Sequence, residues 1–361
     1  MMFSFNRLAF SFAVIVASPI GFAASYQEDF NGYIANTEFS KPELHKQLGE
    51  QLPVAWTSSV RVHAVSLDEP VSGIEEGRIT SPSHPLVTGT EKGTSGIEGV
   101  CENNCAIRFR YPGNESLDAD SWSELRFALT DDFLGSKKGL KEIWVQYDQY
   151  IPMDYHYRSV DLNNTSIFEG GHKEFVLFAD QYSGYNPTLI LGSLIRTDDL
   201  GNPELEGTSY LNYTFSTRED DPTTNRTRKY CCEGMQQTDR IVIPLVDKGY
   251  WQRRTIHVTM PASEAANDGV VQFWIEHRVG EPDSFVEKLV DYSDGDFYGG
   301  DQNYLNGGYV LGWTNNGYNE EVVYVVDNFI VADSRAGIDL NAITESDRIF
   351  PPKPPTLNPP E

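Results

Sequence analysis

Four side chains with complementary chemistry fall on the polar sides of alternating runs within residues 121–180: Arg126, Gln146, Asp148 and His172. A guanidinium beside an amide can neutralise a carboxylate and stabilise the enolate-like charge that develops when a neighbouring proton leaves. An imidazole or a phenolate within hydrogen-bond reach can take that proton. In this reading Arg126 is the neutraliser, and His172, His257 or Tyr150 the base. The reaction would be an elimination that begins by removing a proton beside a carboxylate. Each residue also has a plain structural role open to it. Arg126 can pair with Glu124, His257 can be a sheet-surface residue between Thr255 and Thr259, and His172 can cap the turn that follows Gly170 and Gly171.

Sugar recognition asks less of a sequence. Aromatic faces stack on sugar C–H surfaces, and a few polar groups fix the orientation. Trp144, Trp274 and Trp313 are the stacking candidates, with Gln146, Asp148 and Arg253 as hydrogen-bonding partners; core packing is the alternative use of each tryptophan. Glycoside hydrolysis requires two carboxylates flanking one bond. Glu124, Asp148 and Glu276 stand singly on separate runs, so hydrolysis is the weaker enzymatic reading.

The elements that must hold these residues read as short strands. In SELRFAL, Leu125, Phe127 and Leu129 alternate with Glu124 and Arg126; in WVQYDQY, Trp144, Gln146, Asp148 and Tyr150 share a side. That period of two marks strands with one buried face. VAWTSSVRVHAVS (54–66) reads as one strand, and the NDG at 267–269 as a hairpin turn. About a dozen such runs without a long helix-period segment predict an all-β fold, a two-sheet antiparallel β-sandwich of the jelly-roll kind. One domain over 24–336 is expected, with long loops at 67–100 and 198–240, the second holding a strand at LNYTFS. A Pro-rich C-terminal tail is placed at 337–361, and its closing PPKPPTLNPPE (351–361) is expected to be extended and disordered.

Bulk properties narrow the partners. The net charge of −25 makes nucleic acid an unsuitable ligand, because phosphate binding needs a basic surface. Residues 1–23 read as a signal peptide: one charge, Arg7, precedes an apolar run too short to span a bilayer. No later segment is long and apolar enough for a membrane span, so a secreted or periplasmic monomer is expected. Cysteines fit such an oxidising compartment. Cys101–Cys105 closing a tight loop, with Cys231–Cys232 as a vicinal pair, is the favoured pairing; two cross-links between those loops are the alternative.

SELRFAL followed by EIWVQYDQYIP, the pair TIHVTMP and NDGVVQFWIEH, and the closing GYVLGWTNN and VVYVVDNFIVAD together resemble the concanavalin A-like lectin/glucanase superfamily, and within it secreted polysaccharide-lyase-like proteins. The resemblance implies a jelly roll with a glycan-facing sheet. It makes Arg126 similar to the arginine of the ELR motif of jelly-roll alginate lyases, although the flanking arginines, the QIH triplet and the tyrosine-rich closing motif of those enzymes are absent as such. It also implies one structural calcium ion joining the first and last strands, with Glu28 (or Asp29) and Asp327 as ligands, since calcium takes hard oxygen donors. A lectin-like protein without catalysis fits the same resemblance.

Overall fold

The computed structural model describes residues 25–28, 54–66, 78–81, 84–88, 105–111, 121–153, 171–180, 188–194, 208–218, 228–230, 236–263, 265–295, 297, 302–315, 318 and 321–339. The signal segment, Asp29, Cys101, Cys231, Cys232 and residues 340–361 of the tail lie outside these, as do the side chains of Glu28 and Cys105.

The first strands are β1 (Ser25–Glu28), β2 (Val54–Val60), β3 (Val62–Ser66), β4 (Arg78–Ser81), β5 (His84–Thr88), β6 (Cys105–Tyr111), β7 (Ser121–Trp122), β8 (Glu124–Leu129), β9 (Glu142–Tyr150) and β10 (Gly171–Phe178). They are followed by β11 (Thr188–Leu194), β12 (Ser209–Arg218), β13 (Arg228–Tyr230), β14 (Gln236–Ile243), β15 (Trp251–Thr259), β16 (Gly269–His277), β17 (Phe285–Gly295), β18 (Gly307–Val310), β19 (Trp313–Asn315) and β20 (Val322–Ala332). Among the described residues helix is confined to α1 (Asp131–Leu134) and two 3-10 turns, Leu245–Asp247 and Arg335–Gly337.

The strands form two large antiparallel sheets. The eight-stranded sheet runs β17-β16-β15-β9-β20-β6-β3, with β1 also on β20. The ten-stranded sheet runs β13-β12-β11-β10-β18-β8-β2, with β14 on β12 and with β19 joining β10 to β7. β4 and β5 pair only with each other. The expected two-sheet sandwich is therefore the fold. The stretches read as loops at 67–100 and 198–240 contribute β4 and β5, and β12, β13 and the first part of β14, respectively.

Alternation explains the core. Leu125, Phe127, Leu129, Phe175, Leu177, Leu189 and Leu191 from the ten-stranded sheet meet Ile143, Val145, Ile256, Val258, Phe273, Tyr324 and Val326 from the other in one buried cluster. Burying a side chain of this size contributes about 1.5–3 kcal/mol. Phe127 sits centrally, with ring centroids 5.2 Å from Phe329 and 6.2 Å from both Trp56 and Phe175. On the neighbouring strand, a Cβ at Gly308 would lie 2.3 Å from the Val176 carbonyl oxygen, so only glycine lets β18 lie this close to β10.

The run 54–66 differs from its sequence reading. It is two strands in two sheets: β2 pairs with β8, and β3 pairs with β6. Arg61 makes the corner with φ of 54°, a left-handed conformation that alternation in side-chain type does not reveal. Its carbonyl accepts from the Arg110 N–H at 3.1 Å and from the Ser123 hydroxyl at 3.2 Å, while its guanidinium donates to the Trp122 carbonyl at 2.8 Å.

Candidate functional site

The residues singled out from sequence occupy three separate surfaces. Arg126 and Trp313 lie on the outer face of the ten-stranded sheet. Trp144, Gln146, Asp148, Tyr150, Arg253, His257, Trp274 and Asp327 lie on the outer face of the eight-stranded sheet. His172 lies between the sheets. The first two assignments follow from parity, since these residues alternate with the core residues of their strands. The structure thus does not bring Arg126, Gln146, Asp148 and His172 to one groove.

On the ten-stranded sheet, β8 sends Glu124 and Arg126 outward, and Trp122 on β7 continues the same side. Glu124 bridges its neighbours: one carboxylate oxygen accepts from Arg126 Nε, and the other accepts from the Trp122 indole N–H at 3.3 Å. Trp313, on β19, pairs with Trp122 across the strands, and their rings stand 5.8 Å apart at 46°. Trp313 is 38% exposed, one of few large apolar side chains so open among the described residues. Arg126 lies opposite Tyr309, with its guanidinium carbon 5.7 Å from the Tyr309 ring centre. A continuous row results: Trp313, Trp122, Glu124, Arg126, Tyr309. The two terminal nitrogens of Arg126 have no partner among the described residues, and its side chain keeps 32% of its surface exposed. A guanidinium held by its Nε edge presents its other end as a fork for a carboxylate or sulfate group.

The outer face of the eight-stranded sheet is occupied by its own chain. Arg253 makes a two-pronged pair with Asp148 (2.7 and 3.0 Å) and reaches Asp339 at 2.8 Å. Gln146 donates to the Asp339 carbonyl at 3.3 Å and accepts from the Asp339 N–H at 3.2 Å. Ile338 packs with Trp144, Trp274 and Ala332. Residues 335–339 therefore lie across this face as a strap, at the point where the sequence reading ended the domain and began the C-terminal tail. Trp144 and Trp274 are buried, as are Tyr150 and Trp251 further along. His257 stacks on Trp144 at 3.8 Å, with its ring nitrogens near Gln272 (2.9 Å) and Glu142 (3.2 Å). Burial pulls its pKa below the usual value, against the opposing hydrogen bonds. The polar side chains of this layer are largely satisfied by one another, while the buried Trp274 indole N–H has no hydrogen-bond partner among the described residues.

Between the sheets runs a polar chain that sequence reading did not anticipate. Arg254, fully buried, donates to Glu174 at 2.7 Å and to Gln252 at 3.0 Å. Glu174 also accepts from Ser193 (2.5 Å) and Gln149 (3.3 Å), and lies 3.4 Å from His172 Nδ1. Gln252 continues to Asp247 at 2.5 Å, and Asp247 to His277 at 2.5 Å. At the other end His172 Nε2 lies 2.9 Å from the Tyr111 hydroxyl. Burial opposes ionisation of Glu174, but Arg254, His172 and Ser193 outweigh it and hold its carboxyl well below the usual range. The signal for this chain was the alternation of WQRRTIH itself, which puts Gln252 and Arg254 on the side of Ile256 and Val258.

Asp327 is nearly buried, and one of its oxygens accepts from the Asn328 N–H at 2.7 Å. In the ladder Glu28 stands opposite Phe329, two positions along from Asp327. Among the described residues no three His, Cys, Asp or Glu side chains converge as a metal site. No helix among them is long and apolar enough to cross a membrane.

No family model matches the chain, and no curated protein matches it. Solved structures similar to it include an endo-β-1,4-glucuronan lyase from the fungus Trichoderma reesei, at 11% identity and a TM-score of 0.42, covering 79% of this chain and 93% of that one. An alginate lyase from Chlorella virus is similar at 12% identity and a TM-score of 0.37, covering 82% and 98%. The binding domain of botulinum neurotoxin DC, in complex with rat synaptotagmin II, is similar at 8% identity and a TM-score of 0.34, covering 79% and 45%. Likeness at this level carries no argument about activity; the sandwich stands on its own strand order.

Proposed function

We propose that this is a secreted protein that binds an acidic polysaccharide along the outer face of its ten-stranded sheet. One observation carries the reading: the open end of the Arg126 guanidinium lies in a row with an aromatic pair, the half-buried Trp122 and the exposed Trp313. The fork suits the carboxylate of a uronic acid, the indoles suit sugar C–H faces, and Glu124 fixes the guanidinium so that little is lost in ordering it on binding.

The test is affinity electrophoresis of the mature protein through gels containing alginate, polyglucuronate or a neutral glucan. Retardation by an acidic gel is expected. Arg126→Ala should weaken it by roughly 10- to 100-fold, the range for a hydrogen bond to a charged group, and Trp313→Ala should weaken it too. Free migration through every acidic gel, or retardation indifferent to both substitutions, would sink the proposal.

β-Elimination is a second reading, favoured by the same open fork, which is what neutralising a C5 carboxylate requires. It needs a base beside Arg126, and His172, His257 and Tyr150 stand on other surfaces. A rise in ultraviolet absorbance on mixing with an acidic polysaccharide, abolished in Arg126→Ala, would establish it.

A calcium ion between Glu28 and Asp327 belongs to the same reading. The adjacency of β1 and β20 supports it, although Glu28 pairs with the core residue Phe329 while Asp327 is on the outer face. Chelation should lower the melting temperature and added calcium restore it; a melting curve unchanged by chelator removes the ion from the proposal.

A further inference from the structure

We propose that Tyr111 is the positioning residue of the tryptophan row, acting through its buried hydroxyl on the two strand breaks from which Trp122 and Trp313 project. This inference rests on the binding reading above for its consequence, but not for its geometry. Ser123 separates β7 from β8, and Leu311 with Gly312 separates β18 from β19; Leu311 has φ of 52°. Each break leaves backbone groups without a ladder partner, and buried backbone groups must be satisfied elsewhere. The Tyr111 hydroxyl serves both. It donates to the Ser123 carbonyl at 2.7 Å and accepts from the Gly312 N–H at 3.1 Å. Ser123 follows Trp122 directly and Gly312 directly precedes Trp313, so one oxygen ties the backbones of both indoles.

The hydroxyl is itself held in place. Its single proton goes to the Ser123 carbonyl, so His172 Nε2, 2.9 Å away, is the donor to it. The Tyr111 ring stands edge-on to His172 at 5.0 Å, Tyr318 at 5.6 Å and Tyr324 at 5.8 Å. Behind His172 stand Glu174 and then Arg254. The interior polar chain thus ends directly beneath the Trp122–Trp313 pair. This gives His172 a role in the site that requires no contact with sugar.

Two indoles this close at an angle couple excitonically, and the band appears in circular dichroism without any ligand. The difference spectrum between wild type and Trp313→Phe isolates the Trp122–Trp313 contribution from that of Trp144 and Trp274. Tyr111→Phe keeps the ring and removes only the hydroxyl. It is expected to lose most of that band and to bind acidic polysaccharide roughly 3- to 10-fold more weakly, as for one neutral hydrogen bond. Tyr318→Phe is the control: it deletes another buried hydroxyl, 3.2 Å from that of Tyr324, without touching either break, and should keep the band. Should Tyr111→Phe not fold, His172→Phe, which removes the donor orienting the hydroxyl, is expected to diminish the band in the same direction. A full band in Tyr111→Phe, or an equal loss in Tyr318→Phe, overturns the proposal; so does an unchanged band in His172→Phe if that variant stands in. A band lost in Tyr111→Phe, together with a wild type that binds no polysaccharide, would leave the positioning role standing and remove the binding reading instead.

Discussion

Arg254→Met is expected to cost about 3–5 kcal/mol of folding stability, the range for removing one partner of a buried ion pair. Chemical denaturation should show the midpoint falling with an unchanged slope. Arg254 and Glu174 are both shut off from solvent, at 0% and 2% exposure, on facing sheets of the sandwich. Methionine fills much of the arginine stem's volume, so packing loss is minor and the cost is chiefly electrostatic. Glu174 keeps Ser193 and Gln149 as donors, but its charge loses its principal counterion. Desolvating a carboxylate without one is far more costly than losing a neutral hydrogen bond. The double variant Arg254→Met/Glu174→Met should regain most of the loss, because two apolar side chains can replace a buried pair at little net cost. A single variant within 1 kcal/mol of wild type, on the scale of an exposed pair, would show that water reaches Glu174.

The position of Glu174 also shows what alternation could and could not reveal. In GGHKEFVLFAD, a regular strand would oppose His172 and Glu174 to Phe175 and Leu177. The ladder instead slips between Lys173 and Phe175. That bulge places Glu174 and Phe175 on the same side, so His172 and Glu174 join the core with Phe175 and Leu177, while Val176 and Phe178 turn outward to pack on Tyr309. One inserted residue inverts the faces of half a strand, and no composition cue marks it. In β8, where the pairing runs without slip from Leu125 to Ala128 on the β18 side, the alternation of SELRFAL gave the right faces, including Glu124 beside Arg126.

A second limit is that period two assigns residues to sides of a strand, not strands to sheets. Arg126 and Gln146 each lie on the polar side of a correctly placed strand, yet β8 and β9 belong to different sheets. Their separation follows from long-range pairing, which the local pattern does not encode. Trp122 was legible in principle: with Glu124 and Arg126 it makes an i, i+2, i+4 set. Its partner Trp313, far along the chain, comes beside it only through the ladder of β7 with β19. The strap over Trp144 and Trp274 was hidden for the same reason, since nothing in AGID (336–339) indicates which face it covers.

The same buried pair predicts a steep loss of stability in acid. The Glu174 carboxyl ionises near 4.5 in the unfolded chain and well below that in the fold, where Arg254, His172 and Ser193 overcome the effect of burial. A depressed native pKa means that the stabilisation is complete above the unfolded value and is lost as pH falls from there towards the native value. Within that interval the unfolded chain carries one more proton than the native one at this site. Stability should therefore fall by about 1.4 kcal/mol for each pH unit from this group alone. Other carboxylates titrate over the same range, so the comparison must cancel them. Urea unfolding of wild type and of Arg254→Met/Glu174→Met, repeated from neutral pH down to pH of about 3, does so. The two stabilities should run parallel above the ordinary carboxylate range and diverge below it, with wild type falling more steeply by that slope. Parallel curves throughout would mean that Glu174 takes up its proton equally in both states, and that the pair at the centre of the sandwich is not the charged one its geometry describes.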